Sequence, residues 1–241
     1  MIPYWLSRTQ LMLGDEKVEK LMDKNVLIVG LGGVGGICAE MIVRAGIGKI
    51  TIVDNDIVDE SNINRQIQAL QSTVKQPKAQ VLAARLKDIN PALDITVLEV
   101  YIKEKITIEL VEKENWDYII DCIDTLSSKV FFIKACLDRN LPLVSALGAG
   151  GKVDPSLIEV TDISKTHECN LAKYVRKRLH SLGIYKGLKV VFSPEKVDQT
   201  RIIETEKAFP KKSLIGTLSY MPAIFGCTVA SVVIRDLMAN D

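Results

Sequence analysis

The loop Gly30-Leu31-Gly32-Gly33-Val34-Gly35 follows the apolar run Val26-Leu27-Ile28-Val29. Beyond it stand Asp54-Asn55-Asp56, Ser61-Asn62-Ile63-Asn64-Arg65-Gln66, Lys78 and Asp121-Cys122-Ile123-Asp124. Glycines at this spacing, between a strand and a helix, permit a tight turn, close backbone approach to phosphate and close helix packing. The helix N-terminus then faces the anion. Asp54 ends a second apolar run about 20 residues further on, where an acid can read a ribose. Those two features alone signal a dinucleotide such as NAD. Arg65, Lys78 and Asp124 add what a dinucleotide does not need, namely cations for a triphosphate and an acid for Mg2+. The set therefore favours ATP, with Gly30, Gly32, Gly33, Gly35, Asp54, Asp56, Asn62, Asn64, Arg65, Gln66, Lys78 and Asp124 as candidate contacts. No Gly-Lys-Ser/Thr ending follows the loop, which disfavours a P-loop.

Each residue also has a plainer reading. Lys78 sits in the first turn of its expected helix, where a cation is unfavourable unless an anion is near, yet it could simply face solvent. Asn62 and Asn64 could be turn formers. Asp124 could cap the helix that follows it.

The elements that must position these residues alternate. Strands are expected at 26–30, 50–54, 95–100, 118–121 and 142–147, and helices at 33–46, 77–90, 104–114 and 128–138. This rhythm predicts an α/β fold, a doubly wound, Rossmann-like, mainly parallel sheet. The rhythm changes after Gly148-Ala149-Gly150-Gly151. Short strands at 157–160 and 189–193, a basic helix at 170–181 and a polar stretch near 194–213 form an α+β elaboration. The expectation is one domain over 1–241: a nucleotide-binding core at about 20–151, an elaboration at about 152–215 and a buried C-terminal helix at about 221–238.

Composition narrows the class. A net charge of +1 makes no global electrostatic case for nucleic acid, so any such surface must be local. The five cysteines are scattered and form no Cys-x-x-Cys pair, which indicates neither zinc cage nor disulfide framework. Reduced thiols in the cytoplasm fit best. The N-terminus does not read as a secretory signal, and the apolar run at 222–234 falls short of the roughly 20 residues a membrane helix needs, so no membrane is expected.

On the glycine loop, the Asp54-to-Gln66 stretch, Lys78 and Asp124, the chain resembles the ThiF family of adenylating domains. The resemblance implies that Asp54 binds ribose hydroxyls, that Asn62, Arg65 and Lys78 contact phosphates, and that Asp124 binds Mg2+. It also implies a homodimer in which an N-terminal arginine acts on the partner's site. Ser7-Arg8-Thr9-Gln10 matches that segment, making Arg8 the candidate, although an exposed arginine on an arm reads the same way. Within the family the chain is most similar to members that dehydrate threonylcarbamoyladenosine of tRNA. The carrying segments are 148–155, 162–166, 175–179 and 219–227. The implied reaction is ATP-dependent adenylation of the threonyl carboxylate at position 37, then ring closure. A rival within the family is an activator of a ubiquitin-like sulfur-carrier protein, and a sulfur-transfer or cysteine-desulfurase partner is a further expectation.

Residues 165–189 hold seven Lys/Arg and one acid, Glu168. Leu171, Val175 and Leu179 form an apolar stripe, with Lys173, Arg176, Lys177 and His180 on another face. Such a pattern is ordinarily a solvated helix face; beside the resemblance, Lys165, Lys173, Arg176, Lys177 and Arg178 become candidate contacts to tRNA phosphates. Cys169 is expected on a loop among bases that would favour a thiolate, and Cys227 as a small buried hydrophobe. Neither is needed for cyclisation.

Overall fold

The computed structural model describes residues 1–204 and 213–239. Of the expected elaboration and polar stretch, residues 205–212 lie outside the described residues. Two short helices, α1 (Ser7–Leu13) and α2 (Asp15–Met22), precede strand β1 (Asn25–Val29) and helix α3 (Gly33–Arg44). Then come β2 (Lys49–Val53), α4 (Lys78–Ile89), β3 (Asp94–Leu98), α5 (Glu104–Glu112), β4 (Tyr118–Asp121), α6 (Leu126–Leu137) and β5 (Leu143–Ala146). The elaboration supplies β6 (Glu159–Asp162), α7 (Asn170–His180), β7 (Lys189–Phe192), and the strands β8 (Ile202–Glu204) and β9 (Ser213–Ile215). Helix α8 (Tyr220–Ala239) closes the described chain.

Seven strands form one sheet in the order β3-β2-β1-β4-β5-β7-β6, parallel except for β6, which runs antiparallel to β7. Strands β1, β4 and β5 are buried along their whole length, which is why they read as unbroken apolar runs rather than alternating ones. The strand order reverses between β1 and β4, and open sheets bind ligands at such a switch point. Register makes the point sharp, because Val29 pairs with Val53 on one side and Asp121 on the other. Gly30, Asp54 and Cys122 therefore leave the sheet side by side.

One strand expectation slipped. Residues 157–160 were expected to be extended, but Pro155–Leu157 is a single 3-10 turn, capped by the Asp154 carboxylate accepting from Ser156 N–H at 2.9 Å. β6 begins only after it.

Helix α8 lies along α3, and the approach is close. A Cβ at Gly226 would stand 2.5 Å from the Val34 carbonyl oxygen. Met221, Phe225, Val229 and Val233 bury one face of α8, while Cys227 and Ser231 on the other are exposed. α8 is thus buried on one side rather than all round. Among the described residues it is the one helix long and apolar enough to cross a membrane, and half of it is covered by the protein.

Candidate active site

At the switch point lies a cavity of about 700 Å³, lined by Gly30, Gly32, Gly33, Asp54, Asp56, Asn62, Arg65, Gln66, Lys78 and Asp124. The glycine turn is built tightly. Gly30 has φ +89°, and a Cβ there would meet the Cys122 carbonyl oxygen at 2.6 Å. A Cβ at Gly35 would stand 1.8 Å from the Gly30 oxygen, so this glycine seats α3 on the turn and does not itself line the cavity. Gly32 is different: only Gln66 Nε2, at 3.8 Å, is near its missing side chain. Its open face is where a phosphate chain can approach. Gly32 also caps α3 without a side-chain hydrogen bond, leaving the first-turn N–H groups for an anion.

Asp54 ties this turn to β2. Its Oδ2 accepts from Leu31 N–H at 2.6 Å and its Oδ1 from Asp56 N–H at 2.8 Å. Burial raises its carboxyl above the ordinary value, partly offset by those two bonds and by the nearby Lys78 charge. Gln68, which the sequence reading did not single out, donates from its fully buried Nε2 to the Leu31 carbonyl beneath the turn.

Lys78 is not the solvent-facing lysine of the plainer reading. It is buried, and its Nζ lies 2.9 Å from Asp56 Oδ2. The Arg65 guanidinium donates to the Ser61 carbonyl and to Asn64 Oδ1, each at 2.8 Å. Asn64 itself does not line the cavity; it donates to the Thr217 carbonyl at 3.0 Å and orients Arg65. Asn62 is buried, and its Oδ1 accepts from Asp59 N–H at 3.2 Å in a reciprocal cap. It is therefore both a turn former and a cavity residue.

Asp124 is exposed at the cavity edge. It is not the helix cap that was one reading of it, since Thr125 occupies the cap position of α6. Arg8 is exposed on α1 and does not line this chain's own cavity.

Beyond the nucleotide residues the cavity continues past Gly148 and Gly150 to Lys152, Cys169 and Thr217. Lys152 is buried, donates to the Ser193 and Glu195 carbonyls at 2.8 and 2.7 Å, and has its pKa lowered by burial. Cys169 stands on the loop that ends at α7, as expected, but is buried there. Cys227, expected buried, is exposed. Cys122 also lines the cavity, but burial pushes its thiol up to about 12.

On α7, Ala172, Val175 and Leu179 form the buried face, with Leu171 only half-buried at the cavity. Lys165, Lys173, Lys177 and Arg178 are exposed. Arg178 also donates to Ser127 Oγ at 2.9 Å. Arg176 differs from the expected phosphate contact. It is half-buried, and its guanidinium donates to the Thr166 carbonyl at 2.6 Å, fastening the loop before α7.

Three comparisons bear on this arrangement. A tRNA threonylcarbamoyladenosine dehydratase of Bacillus subtilis is 39% identical over 241 residues, spanning 97% of this chain and 94% of that protein. The crystal structure of the Escherichia coli tRNA N6-threonylcarbamoyladenosine dehydratase in complex with ATP matches with TM-score 0.88 at 34% identity, covering 97% of this chain and 93% of that one. A structure of the same enzyme with AMP matches at 0.86, with the same identity and coverage. The ThiF family model matches residues 6–240, and the chain belongs to the ThiF family.

Proposed function

We propose that this chain uses ATP to dehydrate N6-threonylcarbamoyladenosine at position 37 of tRNA. The observation that carries the reading is the single cavity uniting the glycine turn, Asp54, Arg65, Lys78 and Asp124, in a chain similar over nearly its whole length to such dehydratases. A carboxylate is a poor electrophile until one oxygen becomes a leaving group. An oxygen of the threonyl carboxylate attacks the α-phosphorus, the bond to the β-phosphate breaks, and pyrophosphate leaves. The ureido group then attacks the acyl carbon of the adenylate, a ring closes and AMP departs. The net loss from the nucleoside is one water. Asp54 takes the ribose, the Gly32 turn and α3 N–H groups take phosphate, and Arg65 and Lys78 stabilise the charge that develops at the α-phosphate. The relatives described above speak for this reaction over activation of a sulfur-carrier protein.

The donor set fits Mg2+ delivered with the nucleotide. Among the described residues no group of three or more His, Cys, Asp or Glu could form a cage. Of the four carboxylates lining the cavity, Asp54 accepts from the Leu31 and Asp56 N–H groups, Asp56 pairs with Lys78 and Asp59 caps a turn, while Asp124 stands exposed at the edge. Mg2+ is ordinarily held by one or two carboxylates plus substrate phosphates. When bound it would supply charge neutralisation between phosphates. Asp124 would hold it.

The chain acts as a homodimer in the cytoplasm on this reading. Tyr4, Leu11 and Met12 expose large apolar side chains around Arg8, as expected of an arm that docks on a second copy and delivers the arginine there. Lys165, Lys173, Lys177 and Arg178 provide the tRNA-facing surface. All five cysteines are free thiols, and Cys227 is the exposed one that a sulfur-transfer or cysteine-desulfurase partner would reach.

The test combines the protein with ATP, Mg2+ and threonylcarbamoyl-modified tRNA, followed by nucleoside mass spectrometry. Loss of one water with stoichiometric AMP is the expected outcome. Pyrophosphate release without that loss would point to another carboxylate.

A further inference from the structure

Beneath the cavity, Lys129 and Asp121 form an ion pair with neither side chain exposed at all, Nζ to Oδ2 2.8 Å. Two charges buried this deeply are not the economical way to fill a core, since apolar side chains of similar volume are often as stable or more so. Lys129 also lies at the end of the first turn of α6, where the helix dipole disfavours a cation. A specific task at this place would account for both costs.

The remaining partners indicate the task. Lys129 Nζ donates to the Ile123 carbonyl at 3.0 Å, and Asp121 Oδ1 accepts from the Ile123 N–H at 3.0 Å. Ile123 is thereby gripped at both ends of its backbone, and the residue that follows is Asp124. Ser145 Oγ, brought opposite by the pairing of β4 with β5, donates to Asp121 Oδ2 at 2.6 Å and fixes that carboxylate. The neighbouring Cys122 carbonyl is the group against which the Gly30 turn packs. One buried network thus sets the peptide that carries the acid and supports the turn that faces the phosphates.

We propose that Lys129, acting with Asp121, is a positioning residue that holds Asp124 at the setting where it meets nucleotide-bound Mg2+. The proposal rests on the reading of Asp124 as the metal's carboxylate. Lys129 touches neither substrate nor metal.

The test is a paired substitution, Asp121→Asn with Lys129→Met, which removes both charges together and leaves no lone buried ion. Asn at 121 can still accept from the Ile123 N–H, and its amide NH2 then faces Ser145 Oγ, which must turn to accept; the grip on the Ile123 carbonyl is lost. Binding of a non-hydrolysable ATP analogue is followed by calorimetry as Mg2+ is titrated, alongside adenosine affinity and the thermal midpoint. Adenosine affinity is expected to stay within about twofold, whereas the Mg2+ concentration giving half the affinity gain rises about tenfold or more, the scale on which partners of metal ligands act. A pair serving only the core would lower the thermal midpoint and leave the Mg2+ dependence in place, and that result overturns the proposal. Asp124→Asn runs in parallel. If it shifts the Mg2+ dependence and the paired variant does not, positioning by Lys129 is wrong while the metal reading stands. If Asp124→Asn shifts nothing, the metal reading fails and this proposal with it. Should the paired variant not fold, Ser145→Ala keeps both charges and loosens Asp121 alone. A rise of about threefold in the Mg2+ requirement is then expected, and no rise overturns the proposal.

Discussion

Lys78 Nζ lies 2.9 Å from Asp56 Oδ2, with the lysine side chain 7% exposed and the aspartate 60%. The ammonium is covered while its partner reaches into solvent. A triphosphate entering the cavity would compete with Asp56 for the Lys78 ammonium, which lines the same cavity. Replacing Lys78 with Met removes the cation and should slow adenylation by about two to three orders of magnitude, read as pyrophosphate release. Asp56→Asn acts the other way. It leaves the apo ammonium unpaired and takes a negative charge from the phosphates' surroundings, so ATP should bind a few-fold tighter. A half-exposed pair is worth about 0–1 kcal/mol, which bounds the gain at roughly fivefold. Weaker ATP binding in Asp56→Asn would instead make Asp56 a direct nucleotide contact.

Exposure divides the basic residues of α7 into two kinds. Lys173 and Lys177 are free to meet phosphates, whereas Arg176 is engaged with Thr166. Substituting Lys173 and Lys177 together with Ala should weaken tRNA binding uniformly and reduce the slope of log affinity against log salt by about two, one per lost contact. Arg176→Ala should lower the thermal midpoint and change that slope by less than one. Filter binding across a salt series separates the two. Equal slopes for wild type and the double lysine variant would remove α7 from the tRNA surface.

What the sequence disclosed and what it hid follow from range. Strands β1 and β4 were legible because burial on both faces leaves an unbroken apolar run, and Asp54 because its distance from the glycine loop is set by one strand-helix-strand unit. The pairing of Lys78 with Asp56 was not, although both were noted, since a loop and a turn separate them in sequence. Lys129 gave no sign at all. A lysine in the first turn of a helix reads as a surface cation, and its burial appears only when α6 folds back beneath β4. Gln68 was missed for the same reason, and Cys227 was misjudged because a composition-wide apolar run does not say which face of α8 is covered. The phase of a helix against its neighbour is a tertiary fact.

Asp54 makes a pH prediction with two opposed signs. Burial, the largest influence, raises its carboxyl above the ordinary value of about 3.9. The ionised form is the better acceptor for ribose hydroxyls, so adenosine affinity should fall on acidification, starting at a higher pH than an ordinary carboxylate would give. Stability runs the other way. A carboxyl raised in the folded state contributes stability at acid pH that is lost as pH rises through the folded value. Adenosine rather than ATP is the right probe, because it carries no phosphate to titrate. Asp54→Asn should weaken binding and flatten this part of both profiles, measured by calorimetry and thermal unfolding over the same pH range. An affinity profile that keeps its wild-type shape in Asp54→Asn would assign the titration elsewhere.

Gly32 and Gly35 belong to one loop but should fail differently when replaced by Ala. At Gly35 a Cβ would overlap the Gly30 oxygen at 1.8 Å, a backbone clash that no side-chain movement relieves. The variant should unfold at markedly lower temperature, and its loss of activity would say nothing about phosphate. At Gly32 the backbone has φ −71°, within reach of any residue, and the nearest atom to an added Cβ is the end of a glutamine side chain at 3.8 Å. Gly32→Ala should therefore keep the wild-type thermal midpoint within about 1–2 °C, as expected of a substitution costing under about 0.5 kcal/mol. Its methyl group would nonetheless stand where the phosphate chain approaches the turn. ATP affinity should drop at least tenfold while adenosine, which brings only the ribose and base, binds almost as before. A Gly32→Ala protein that binds ATP and adenosine as wild type does would move the phosphates off this turn.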